Sequence, residues 1–133
     1  MTKRVMIVDD AALMRVTIQN VLKEDPALEV VGWAANGKQA LEKLADARPD
    51  LIMLDIEMPE MDGLEFLRHA RLKCRAKIIV LSSVTAAGSH KASQARSLGA
   101  DAVVSKPSGA VSFDLKEKRG SELISTIHQV LGI

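Results

Sequence analysis

Four points along the chain carry groups that could do chemistry together. Asp9 and Asp10 close the apolar run Val5-Met-Ile-Val8, and Asp55 closes Leu51-Ile-Met-Leu54. Ser82 and Ser83 close Ile78-Ile-Val-Leu81, and Lys106 stands just past Ala102-Val-Val104. Short apolar runs bounded by polar residues read as buried strands. In an open parallel α/β sheet the ligand site lies at the carboxyl ends of the strands, near the point where strand order reverses. Three carboxylates, a hydroxyl and an amine then converge on one edge of one sheet. Carboxylates packed together repel one another and need a cation, and oxygen-only ligation with room for water suits Mg²⁺. A carboxylate ending the central strand is placed to attack phosphorus, since carboxylates form aspartyl-phosphates. Asp55 is the expected nucleophile, with Ser82 and Lys106 expected on the remaining phosphoryl oxygens. Phosphoryl transfer asks mainly for such positioning and charge neutralisation.

The elements that must position these groups are legible in the same pattern. Met14, Ile18, Val21 and Leu22 recur at helical spacing before Asp25-Pro26 stops the helix. Glu29 to Ala34 reads as a second strand, and Ala40, Leu41 and Leu44 mark a second helix. Leu64 and Leu67 mark a third, an alanine-rich stretch ending at Leu98-Gly99 a fourth, and Leu123, Ile127, Val130 and Leu131 a fifth. The strands do not alternate polar with apolar residues, so both faces of the sheet must be covered by helices. The expected fold is a doubly wound (βα)5 sandwich, a five-stranded parallel sheet of order 2-1-3-4-5 in a single domain over residues 1–133. The stretch from Ser108 to Gly120 is longer than an ordinary strand-to-helix connection and is expected to be an exposed irregular segment.

Composition narrows the functions further. The 133 residues are 47% hydrophobic and 26% charged, as in ordinary globular domains, with a formal net charge of +1. Trp33, Phe66 and Phe113 are the only aromatics, too few for base-stacking platforms, and the balanced charge gives no field for DNA or anionic lipid. Neither nucleic acid nor a membrane is an expected partner. Cys74 stands alone, which excludes an internal disulfide and suits a reducing cytoplasm. The first apolar run is too short for a signal peptide or a bilayer span. His69, His90 and His128 share no ligand-pair spacing and read as surface residues; Trp33 reads as packing with part of the side chain exposed, Gly63 as a helix-entry residue, and Lys116 to Arg119 as solvated charge.

The sequence resembles the receiver domain of two-component response regulators over essentially its whole length. The resemblance rests on Val8-Asp9-Asp10 with Arg15, Pro49 to Asp55, Met58-Pro-Glu-Met-Asp-Gly63, Leu81-Ser82-Ser83, Leu98-Gly-Ala100 and Lys106-Pro107. It implies that Asp55 is the phosphoacceptor. The implied Mg²⁺ ligands, with Mn²⁺ as a substitute, are Asp10, Asp55 and the backbone carbonyl of Glu57, with Asp9 holding metal-bound water. It further implies that Ser82, rather than its neighbour Ser83, is the switch hydroxyl, that Lys106 contacts the phosphoryl group, and that the Lys106–Pro107 peptide is cis. The implied partners are a sensor histidine kinase or histidine phosphotransfer protein, and a downstream protein met through the fourth helix, fifth strand and fifth helix. The implied chain is not an enzyme with separate turnover; it phosphorylates itself and slowly loses the group. The subtype is similar to the receiver half of chemotaxis protein-glutamate methylesterases, through Asp-Asp-Ala-Ala-Leu-Met-Arg15, Leu-Asp-Ile-Glu-Met-Pro59 and Lys-Pro-Ser-Gly109. The chain carries no Gly-x-Ser-x-Gly elbow, so no effector domain is expected within it. One departure stands out: Val103 occupies the position where many receivers carry the Tyr or Phe that reports phosphorylation.

Two other readings of the residues compete. An aspartyl-phosphate phosphatase would also use an Asp nucleophile, and Glu57 holds the place of its second acid, but the first strand lacks an Asp-x-Asp and no cap domain is seen. A flavodoxin-type nucleotide module would need a glycine- and hydroxyl-rich loop after the first strand and a pair of stacking aromatics, and has neither.

Overall fold

Strands with no polar face dictate the architecture. A computed structural model describes residues 2–56, 63–82, 90–105 and 113–133. Its elements alternate without exception: β1 (Lys3–Val8), α1 (Ala12–Lys23), β2 (Leu28–Ala34), α2 (Gly37–Ala47), β3 (Leu51–Asp55), α3 (Gly63–Lys73), β4 (Lys77–Ser82), α4 (His90–Ser97), β5 (Ala102–Ser105) and α5 (Phe113–Leu131). Met6, Val8, Ile52, Leu54, Ile78 and Val80 point into one core cluster, and Val5, Ile7, Leu51, Met53, Ile79 and Leu81 into the other. The period of two therefore splits each strand between two apolar layers, and helices must cover both. Ile18 and Leu22 of α1 with Leu123 and Ile127 of α5 fill one layer; Ala40 and Leu44 of α2, Phe66, Leu67 and Ala70 of α3 and Ala95 of α4 fill the other.

All strand pairs are parallel, in the order β2-β1-β3-β4-β5. From β1 the chain moves outward to β2, then crosses back to β3 on the other side. That reversal makes Asp9 and Asp55 neighbours across one crevice. The β1–β2 ladder is interrupted once: Val5 pairs with Val30 but Met6 with Gly32, leaving Val31 as an extra residue in a β-bulge. The bulge changes the facing of β2, so that Leu28 and Val30 join the layer of α1 and α5 while Ala34 joins the layer of α2.

Within the stretch from Ser108 to Gly120, expected to be irregular, residues 113–120 are helical instead, and 108–112 lie outside the described residues. The fifth helix begins at Phe113, well before Gly120. Lys116, Glu117, Lys118 and Arg119 are strong helix formers, and their summed propensity outweighs the one glycine that reads as a break. Gly120 is buried in the helix interior against α1, where an added Cβ would meet Val21 Cγ2 at 3.6 Å and Cγ1 at 3.7 Å.

Candidate functional site

The strand ends deliver the expected side chains to one place. Asp9 follows β1 and is fully buried, Asp10 beside it is exposed, and Asp55 closes β3 at 2% exposure. One carboxylate oxygen from each of the three can be chosen so that all lie within 4.8 Å of one another. Ser82 closes β4 one register step beyond the pairing of Asp55 with Leu81, and its own pair is Ser105 at the end of β5. The Ser82 hydroxyl is buried and makes no hydrogen bond among the described residues, a donor and acceptor held in reserve at the crevice. Glu57, Ser83 and Lys106, with the Lys106–Pro107 peptide, lie outside the described residues.

The backbone around the acids is tightly held. The Asp9 N–H donates to Ala34 O at 3.1 Å, and Asp9 Oδ1 accepts from the Ala11 N–H at 2.9 Å, supplying a partner at the start of α1, where Ala11 has no capping side chain. Arg15 Nη1 donates to the Asp9 carbonyl at 2.7 Å. Past Asp55, the Ile56 N–H donates to Leu81 O at 3.1 Å, and the Gly63 N–H reaches back to Ile56 O at 3.3 Å. Gly63 opens α3 with no room for a side chain: a Cβ would lie 2.6 Å from Asp55 O and 2.7 Å from Ile56 Cα. Its absent side chain is what lets α3 start against the end of β3, so it supports the site rather than merely entering a helix.

Electrostatics asks for a counter-charge here. Two carboxylates such as Asp9 and Asp55 repel by about 3 kcal/mol at a separation near 5 Å and an effective dielectric of ~20. A hard divalent cation, with oxygen ligands and its own water, satisfies that donor set. The three acids thus fit a Mg²⁺-type ion by charge, ligand chemistry and proximity.

The family described as response regulator receiver domain matches residues 5–118. The chain belongs to this family. Among solved structures, the receiver superimposes on the response regulator domain of CheB from Thermotoga maritima with a TM-score of 0.87 at 34% identity, covering 100% of this chain and 98% of that one. A chain in the crystal structure of the CheA3 P1 domain in complex with CheY6 from R. sphaeroides matches at TM-score 0.83 and 55% identity, with 98% of each covered. Among curated relatives, a protein-glutamate methylesterase/protein-glutamine glutaminase of Carboxydothermus hydrogenoformans is 46% identical over 86% of this chain, and one of Geobacillus kaustophilus 42% identical over 96%. The receiver spans about a third of the length of these relatives, 32% and 36% respectively. The family places the chain among phosphoacceptor signalling domains, and the aspartyl-phosphate phosphatase reading has no support beside it. No helix among the described residues is long and apolar enough to cross a membrane.

Two features of the receiver went unread in its sequence. Trp33 is partly exposed as expected, at 49% near the end of β2, but its ring also meets two cations, the Arg15 guanidinium 4.1 Å and the Lys43 ammonium 4.9 Å from its centroid. His128 is not a bare surface residue. It is half-buried, and its Nε2 donates to Asp25 Oδ2 just past the end of α1. That hydrogen bond, then one from the Ala27 N–H, holds the Asp25 carboxyl below its ordinary range despite opposing desolvation. Arg15 was visible only as part of a family stretch, and no spacing links positions 25 and 128. Of the remaining residues, His69 is exposed and Val103 is half-buried against the α2–α3 layer.

Proposed function

We propose that Asp55 accepts a phosphoryl group from a phosphohistidine on a sensor histidine kinase or histidine phosphotransfer protein. The observation that carries this reading is a buried carboxylate ending the central strand, within 4.8 Å of two more acids. Asp10, Asp55 and the Glu57 carbonyl would hold Mg²⁺, with Asp9 reached through water. When bound, the ion neutralises the acids and the incoming phosphoryl oxygens. In the transfer an Asp55 oxygen forms the new bond to phosphorus as the phosphorus–nitrogen bond breaks, and the released imidazole nitrogen keeps the electron pair. Burial of Asp55 at 2% exposure supports it as an attacker stripped of competing water. Ser82 and Lys106 then contact the new phosphoryl oxygens.

The output surface in this reading is α4, β5 and α5. Ser82 begins the connection to α4, and β5 is the edge strand paired directly with β4, so a shift at Ser82 has a short path to that face. The methylesterase relatives and the CheA3–CheY6 complex support chemotaxis as the setting. The shares of 32% and 36% favour a second possibility for the output, that the receiver regulates a methylesterase domain of a longer protein. The phosphoacceptor reading is tested by incubating the chain with acetyl phosphate and Mg²⁺ and measuring intact mass. One phosphoryl group is expected on the wild type and none on Asp55→Asn; equal modification of both would overturn the assignment.

A further inference from the structure

We propose that Arg15 and Trp33 form a brace that fixes the Asp9–Asp10 peptide and thereby sets the affinity of the acidic cluster for a divalent cation. This rests on the reading of that cluster as the Mg²⁺ site. Arg15 and Trp33 are positioning residues here, acting through the acids they hold in place.

The brace is built from contacts on both sides of Asp9. Its N–H donates to Ala34 O, the residue after Trp33, at 3.1 Å. Its carbonyl accepts from Arg15 Nη1 at 2.7 Å, and that carbonyl belongs to the peptide leading into Asp10. The orientation of the Asp9–Asp10 peptide therefore depends on where the Arg15 guanidinium lies. A free arginine side chain has many rotamers, and holding one costs entropy. Trp33 lowers that cost by offering a flat face 4.1 Å from the guanidinium. The indole is secured in turn, because Lys43 Nζ donates to Trp33 O at 2.7 Å and lies 4.9 Å from the ring centroid. Trp33, 49% exposed, contributes less to the core than a buried aromatic would, while its ring meets two cations.

A rival role for Arg15 predicts the opposite sign. Were it merely a cation near three carboxylates, it would repel Mg²⁺, and removing it would tighten metal binding. As a brace, its removal loosens the acid pair and weakens binding. Trp33 carries no charge, so its replacement isolates the positioning effect.

Calorimetric titration of Mg²⁺ into wild type and variants decides the matter, with urea unfolding of each metal-free chain as the folding control. Arg15→Ala and Arg15→Lys, the latter keeping the charge but losing the planar fork, should each weaken Mg²⁺ by about three- to tenfold, a fraction of what a charge-assisted hydrogen bond is worth because the loss reaches the ion only through the peptide it holds. Trp33→Leu should weaken it by about two- to fivefold, while Trp33→Phe, which keeps an aromatic face, restores most of the affinity. Tighter or unchanged binding by folded Arg15→Ala would overturn the brace, as would wild-type affinity in Trp33→Leu. Should Arg15→Ala not fold, the Arg15→Lys and Trp33 pair decides alone. A wild type that binds no Mg²⁺ would overturn the metal-site reading itself, an outcome distinct from failure of the brace.

Discussion

Replacing Gly63 with alanine would test whether the start of α3 positions the phosphoacceptor. The new Cβ would stand 2.6 Å from the Asp55 carbonyl oxygen and 2.7 Å from Ile56 Cα, where ordinary contact begins at 3.4 Å. Both obstacles are backbone, so no side-chain rotation relieves them, and the two segments must separate by about 0.8 Å. Overpacking of this kind costs about 1–3 kcal/mol. Alanine's better helix propensity returns less than ~1 kcal/mol, and less again in the first turn. The net expectation is a loss of about 1–2 kcal/mol in urea unfolding. The displaced carbonyl belongs to Asp55 itself, and misplacing a reacting group by ~1 Å costs about a hundredfold in rate. Acetyl-phosphate labelling followed by intact mass should therefore slow by about ten- to a hundredfold, under conditions where urea curves show the variant folded. Wild-type labelling at wild-type stability would refute the reasoning, because it would mean that the close approach of Gly63 constrains nothing.

Gly120→Ala should do the reverse. Its Cβ would sit at ordinary contact distance from Val21, so the gain in helix propensity prevails and stability rises by about 0.5–1 kcal/mol in urea unfolding; a loss would show that α1 and α5 pack more tightly than 3.6 Å implies. Asp25 predicts an acid-sensitive contribution to stability. Its carboxyl lies below its ordinary value of 3.8, so near that pH the unfolded chain binds more protons than the folded one. The contribution is complete above pH 3.8 and disappears as pH falls through the lowered value, and the stability gap between wild type and Asp25→Asn should narrow on that descent; a constant gap would contradict the His128 pairing. Ser82→Ala should still accept a phosphoryl group but lose phosphorylation-dependent partner binding, and normal dependence would remove Ser82 from the switch.

The fold was readable because its inner strands are buried on both faces. Runs such as Ile78 to Leu81 have no polar interruption, so their ends mark themselves, and the first polar residue after each falls at the site by the topology of a parallel sheet. Strand limits shifted outward by one or two residues, since Lys3 and Lys77 join the ladder through backbone groups that carry no side-chain signal. The onset of α5 was misread because Gly120 looks like a boundary, whereas its burial beside Val21 depends on a neighbouring helix that local pattern does not show. Of the site, Asp9, Asp10, Asp55 and Ser82 were named from spacing and are brought together; Glu57 and Lys106 lie outside the described residues. The Arg15–Trp33 stack and the Asp25–His128 pair escaped notice for one reason. Each joins elements whose side chains meet only once the sheet order is laid down, and neither residue type is diagnostic alone.

The extra residue at Val31 has a consequence for how this chain tolerates changes in length. Within an ordinary strand, losing one residue exchanges the two faces for everything beyond it and drives core side chains into the wrong layer. Here Val31 has no partner of its own between the Val5–Val30 and Met6–Gly32 pairs. Excising it would leave Leu28 and Val30 opposite Lys3 and Val5, and Gly32, Trp33 and Ala34 opposite Met6, Ile7 and Val8, in an unbroken ladder. The second strand therefore contains one position at which a single codon can be lost while every remaining residue keeps its neighbour.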